Sequence, residues 1–144
     1  MSFPVLSTST ETRATKRAVR VIQRTHAAKV IAQAEVFNCR RQGPKPDDPW
    51  SDHAWGAAAD FFPRPPTSDD DLQRRAIFHT IIYQSTHRTF ANRGRRLATR
   101  YVIDHDARLI WFLSDGIRAY TGPLGDHVHG SFGPKPTKTP PCAR

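Results

Sequence analysis

No proline or glycine interrupts the chain between Val5 and Gln42, and Gly43-Pro44 is the first pair that does. A run with nothing to break it reads as helix. Thr8 and Glu11 stand in the S/T-x-x-E relation of a capping box, so the helix is expected from Thr8 to about Phe37. On a helical wheel Arg13, Lys16, Arg17, Arg20 and Arg24 share one side. Ala14, Ala18, Val21, Ile22, Thr25 and Ala28 share the other. From Ala27 to Phe37 the pattern turns apolar nearly all round, and a partner surface is expected to cover what so short a chain cannot.

The cationic face has three readings. A solvated surface is the commonest fate of such residues. A mitochondrial targeting helix is Arg-rich and poor in acids, and residues 1–34 hold six Lys or Arg against one acid, Glu11. A surface that tracks phosphates or an acidic partner is the third. Acid depletion favours the targeting reading. It is expected as an uncleaved N-terminal signal, placing the protein on the matrix side or at the membrane periphery.

Charge agrees with an anionic neighbour. The 144 residues carry a net charge of +9, with 17 Arg against 5 Lys, and Arg is the better residue for bidentate docking. Twelve prolines with 38% hydrophobic residues imply a modest core with long irregular stretches. No run of 18 apolar residues exists, so no transmembrane segment is expected. Cys39 and Cys142 have no CxxC neighbour; one bridge between them is possible, but two free thiols in a reducing compartment are the expectation.

Four segments follow: a basic amphipathic region over 1–42, an arm rich in Pro and aromatics over 43–67, a small α+β domain over 68–129, and an extended Pro-rich tail over 130–144. Trp50, Trp55, Phe61 and Phe62 make the arm too aromatic for a free linker, so they are expected to sit in pockets of the domain or a neighbour. A second helix is expected from Ser68, with Asp69, Asp70 and Asp71 in its first turn. From Arg100 the period becomes that of strands. Tyr101–Ile103, Leu109–Leu113 and Ile117–Thr121 are separated by turn clusters, including Asp115-Gly116, and predict a three-stranded antiparallel meander. The fold class expected is therefore α+β, with two helices, that small meander, and extended arms.

Arg93-Gly94-Arg95-Arg96 is a dense basic knot. It reads equally as a nucleic-acid patch or as arginines complementing a helix C-terminus. The chemical lead is Asp126-His127-Val128-His129, because residues two apart on a strand share a face and His127 and His129 could reach one metal ion. It resembles the HUH motif of single-strand nucleases and rolling-circle relaxases, over four residues. That resemblance implies a catalytic tyrosine downstream, and none follows His129; Tyr101 and Tyr120 lie upstream. His105 between Asp104 and Asp106 is sufficiently explained as a turn. No GxSxG, P-loop, GxGxxG or CxxC occurs.

The function expected from these residues is a non-catalytic accessory subunit of a large mitochondrial assembly, such as a respiratory complex or ATP synthase, with no cofactor. Arg13, Arg17, Arg20, Arg24, Trp50, Trp55, Arg93, Arg95 and Arg96 would meet neighbouring subunits, and anionic lipid or RNA are further candidates. The alternatives are an RNA-binding mitochondrial ribosomal protein and a metal-dependent single-strand nuclease using His127 and His129.

Overall fold

A computed structural model of the chain describes residues 2–6, 10–64 and 70–143. The capping signals expected at Thr8 and Ser68 lie outside the described residues. What folds first in the chain is shorter than the unbroken run suggests. Helix α1 spans Arg13–Gln23, and its cap is Thr12, whose hydroxyl accepts from the Thr15 amide at 3.2 Å. Ala18, Val19, Val21 and Ile22 form its buried face.

The helix stops where Thr25 turns extended and its hydroxyl donates to the Ile22 carbonyl at 2.7 Å. A 3-10 turn over His26–Val30 follows, and then Ile31–Glu35 is a strand, not helix. This strand, β2, is bonded on both sides: by β1 (Val5–Leu6), running parallel, and by β3 (Ala58–Pro63), antiparallel. Two ladders satisfy its amides and carbonyls, and with β-branched Val30 and Ile31 at the junction they outweigh an absence of helix breakers.

Helix α2 covers Asp70–Thr86, where a second helix was expected. Strands β4 (Thr99–Asp104), β5 (Leu109–Phe112) and β6 (Gly116–Ala119) follow as consecutive antiparallel neighbours. Strand β7 (Val128–Phe132) then inserts between β3 and β4. The result corrects the expected architecture. In place of a small three-stranded meander there is one mixed sheet of seven strands among the described residues, in the order β1-β2-β3-β7-β4-β5-β6. The meander is its far side.

The sheet draws strands from residues 1–42, from 43–67 and from 68–129, and β7 straddles the boundary at 129 and 130. Of the prolines that suggested an arm, Pro44, Pro46 and Pro49 fall in the stretch 40–51 and Pro63 marks the exit of a central strand. Pro63 ends β3, where a missing amide does least harm.

Both helices pack on one face of the sheet. Phe61, Val102, Val128 and Phe132 point into that layer and are joined there by Ile22, Ile77, Phe78 and Ile81, all buried. Gly130 is glycine because the Phe132 ring lies over it; a Cβ there would meet the ring at 2.6 Å. Alternation sends Asp60, His129, Ser131, Tyr101 and Ile103 to the opposite face, which neither α1 nor α2 covers.

The irregular stretches make contacts within the chain itself. Residues 40–51 fold back as a hairpin, with the Ser51 amide donating to Arg40 and the Gln42 amide to Pro49. The Arg41 guanidinium lies 4.1 Å from the centre of the Trp50 ring. Trp55 Nε1 donates to the Lys138 carbonyl at 2.8 Å. Arg100 Nη1 donates to the carbonyls of Phe132, Gly133 and Pro134. Cys39 and Cys142 are bonded to each other, with Cα atoms 6.1 Å apart, so the free-thiol expectation is also corrected. Paired strands bring the two distant segments side by side, which spacing along the chain cannot reveal. No helix among the described residues is long and apolar enough to cross a membrane.

Candidate metal centre on the open face of the sheet

Three elements converge at the middle of the uncovered face. Ser51 caps a 3-10 turn over Asp52–Trp55, and the turn carries His53. Gly56 follows in the left-handed region at φ 68°, where a Cβ would run into the Thr10 carbonyl. That tight reversal feeds directly into β3 and brings Asp60 back under His53. Asp60 pairs in register with His129 of β7.

All three side chains are buried. His53 Nε2 lies 3.1 Å and His129 Nδ1 3.0 Å from Asp60 Oδ1, and the two ring nitrogens are 3.2 Å apart. This is the one group with metal-ligand geometry among the described residues.

The outer partners decide which ring nitrogens carry hydrogen. His53 Nδ1 faces the Val36 carbonyl at 2.7 Å, and a carbonyl can only accept. His129 Nε2 faces Ser131 Oγ at 2.8 Å. The Ser131 hydroxyl hydrogen is committed to Asp52 Oδ2 at 2.8 Å, so Ser131 accepts from His129. Both outer nitrogens therefore carry hydrogen. With both rings neutral, the inward atoms, His53 Nε2, His129 Nδ1 and Asp60 Oδ1, are all lone pairs.

Three lone pairs at this spacing repel unless something positive lies among them. Around an ion with bonds of 2.0–2.1 Å in tetrahedral array, ligand atoms are separated by about 3.3 Å, which the observed distances approach. Two neutral imidazoles and one carboxylate, each oriented from behind, are the donor set that zinc takes. Burial lowers the His129 pKa and so favours the neutral ring that a metal needs. Burial would raise the Asp60 carboxyl, but hydrogen bonding and positive charge from the His129 and His53 rings hold it well below the usual carboxylate range when those rings are protonated, and a metal ion in place of that proton acts in the same direction.

Behind the triad, Asp52 anchors the frame. Its Oδ2 accepts from Ser131, from Arg100 Nη2 at 2.8 Å and from the Tyr101 hydroxyl at 2.9 Å. Burial works against its charge, and the bonds from Arg100 and Ser131 keep its carboxyl below the normal value. Burial, with the Asp52 charge, pushes the Tyr101 phenol up to about 12, so it remains a donor. The Tyr101 ring stacks on His129 with centroids 5.5 Å apart and planes 15° from parallel.

In front, a cleft of about 600 Å³ opens to solvent, lined among others by Arg40, Asp52, Tyr101, His105, Tyr120 and His127. His127 Nε2 stands 3.5 Å from Asp60 Oδ1, and its Nδ1 lies 3.4 Å from exposed Asp126 Oδ1. The His105 ring lies 4.6 Å from that of His127, and its Nδ1–H donates to the Pro123 carbonyl. Burial lowers the His105 pKa. Arg40 reaches Asp60 Oδ2 at 4.0 Å from the rim.

The His-x-His spacing thus does place both rings on one face, as strand alternation requires, with His129 in the triad and His127 beside it. The partners that complete the triad, His53 and Asp60, are absent from the sequence reading. One signal for them exists: Asp60 is an acid inside the apolar run Ala57–Phe62, and a carboxylate on a buried strand needs a specific partner. His105, read as a turn residue, lies in the same cleft.

The cationic residues singled out in the sequence gather elsewhere. Arg13, Arg17, Arg20 and Arg24 of α1 face Arg93 and Arg95 across a separate cleft of about 470 Å³ on the helix side, and Arg96 flanks it. Trp50 and Trp55 lie with the folded hairpin and tail. Comparison of the chain with protein-family models, with curated proteins and with solved structures finds no match.

Proposed function

We propose that this protein is a mononuclear zinc hydrolase that cleaves an acyl bond, of the amide or ester kind. The observation that carries the proposal is the convergence of His53 Nε2, His129 Nδ1 and Asp60 Oδ1 within 3.2 Å of one another, with the far nitrogen of each ring bonded outward. His53, His129 and Asp60 would hold the ion. An ion so held supplies Lewis acidity and an activated water at neutral pH. Two histidines with one carboxylate leave a coordination position open, which is the mark of a catalytic rather than a structural zinc site. One metal group among the described residues favours acyl chemistry, since in-line phosphodiester cleavage is commonly shared between two ions.

The chain's own residues divide the remaining work. The Asp126–His127 pair stands at the open side and would take the proton of an attacking water and return it to the leaving group. Tyr101 and Ser131, through Asp52, keep the His129 ring in its ligating orientation. Arg40 at the rim faces negative charge that develops on the substrate. The accessory-subunit reading depended on arms that needed neighbours, and Trp55, Arg100 and the Cys39–Cys142 bridge supply those contacts internally. The bridge also favours an oxidising compartment over a reducing one.

The test is elemental analysis followed by assay. The purified protein should carry about one zinc per chain, and His53→Ala, Asp60→Ala and His129→Ala should each abolish it. Against a panel of peptide and ester substrates, activity should vanish with a chelator and return with zinc. A folded wild-type chain that neither contains nor takes up stoichiometric zinc would end the proposal.

A further inference from the structure

The second cleft, on the helix side, carries only positive charge on its walls. Arg13, Lys16, Arg20 and Arg24 repeat every three or four residues along α1 and its C-cap, so the Cβ atoms of neighbours stand about 5–6 Å apart in a row. Arg93 and Arg95 form the opposing wall. None of these six, nor Arg17, lies within 4 Å of a carboxylate among the described residues. Elsewhere Arg74, Arg100 and Arg118 have each found an acid.

The cleft is built, not merely charged. Arg17 Nη2 donates to the Asn92 carbonyl at 3.0 Å, and Arg24 Nη1 to the Ala91 carbonyl at 2.9 Å, clasping the loop after α2 against α1. Buried Asn92 stiffens that loop from within: its Nδ2 donates to the Gln84 and His87 carbonyls, and its Oδ1 accepts from the Thr89 amide. Arg93 sits at φ 53° and Gly94 at φ 72°, which turns the chain so that Arg93 and Arg95 face the helix. Burial, with Arg95 and Arg24 nearby, lowers the Arg17 pKa, the direction expected where like charges are held together. Such an arrangement opposes folding until an anion enters it.

We infer that this cleft docks a flexible linear polyanion through the phosphate groups of its backbone. The two-walled shape suits a chain laid along α1. Nothing on its walls is aromatic, so bases would find no platform for stacking, and Asn92 has no spare donor to read them. The ligand class is therefore a base-free linear polyphosphate recognised by charge alone. The cleft and the candidate metal centre lie on opposite faces of the sheet and can be occupied together, and this inference does not rest on the hydrolytic reading.

End-labelled inorganic polyphosphate is the probe, followed by fluorescence anisotropy on the full chain treated with chelator. Neutralising about five phosphates, log K should fall with log salt at a slope of about −3.5, at about 0.7 per contact. The combined change Lys16→Glu, Arg20→Glu and Arg93→Glu should weaken binding at least about tenfold and bring the slope near −1.4, for about two remaining contacts. All three side chains are exposed, and a thermal melt with the matching triple alanine variant separates lost charge from lost fold. Unchanged affinity in a folded triple variant would overturn the inference. Poly(dT) bound at least about tenfold tighter at equal phosphate would replace it with nucleic acid. Phosphatidylglycerol vesicles that hold the protein at a salt concentration where polyphosphate has dissociated would replace it with a membrane surface, for which exposed Phe90 on the same loop would be the wedge.

Discussion

Replacing Ser131 with alanine tests the metal centre without touching a ligand. Ser131 is fully buried and stands between His129 Nε2 and Asp52 Oδ2, 2.8 Å from each. Ser131→Ala leaves Asp52 its bonds from Arg100 and Tyr101, so that carboxylate stays satisfied. His129 loses the acceptor of its outward N–H, and an unsatisfied buried donor costs about 1–3 kcal/mol. The ring is then free to change tautomer or rotate, and removing an outer partner of this kind lowers metal affinity about 10–100-fold. That is about 1.4–2.8 kcal/mol of binding. Competition for zinc against a chromophoric chelator measures it. The control is Ser85→Ala, which removes a buried hydroxyl bonded to Thr99 and Ile81 on the helix side of the sheet. Equal zinc affinity in wild type and Ser131→Ala would refute the outward-proton assignment, and equal losses in both variants would show that global stability, not ring orientation, was being measured.

Three other predictions follow from the same contacts. Asp126→Asn should keep its zinc and lose about 10²–10⁴ in kcat on whichever substrate the panel identifies, the usual contribution of a positioned proton acceptor. Because the Cys39–Cys142 bridge spans a sequence separation of 103, Cys39→Ser with Cys142→Ser should cost about 4.7 kcal/mol on the chain-entropy view. Calorimetry should then show Tm lower by about 10–20 °C. Asn92→Ala strands the Thr89 amide and takes one donor each from the Gln84 and His87 carbonyls, of which Gln84 keeps the Leu97 amide, so the cost is about 1–3 kcal/mol. Polyphosphate affinity should fall with it, as the loop that carries Arg93 and Arg95 loosens.

What was legible in the sequence is instructive for where it stops. The location of α2 and the succession of β4, β5 and β6 follow from apolar runs punctuated by turns such as Asp115-Gly116. These elements obey local rules. The end of α1 does not, because Ile31–Glu35 carries no breaker and becomes a strand only through the two ladders waiting on either side of it. Pairing with Val5–Leu6 and with β3 lies outside any local window.

The two central strands were hidden for a different reason. Strand β3 holds Asp60 amid alanines and phenylalanines and ends at Pro63; β7 holds His129, Gly130 and Ser131 in five residues. Neither shows clean apolar alternation, because their uncovered face is where the polar chemistry is placed. Residues that spoil a strand's pattern yet are buried in it must be satisfied by one another, and here the register sets Asp60 directly opposite His129. Buried polar groups on adjacent central strands are costly unless joined in a complete network. Asp52, Ser131, His129, Asp60 and His53 form such a network except at one point, the inward meeting of three lone pairs. The departure from the expected pattern and the place where a positive charge, proton or metal ion, completes the network are therefore one feature of the chain.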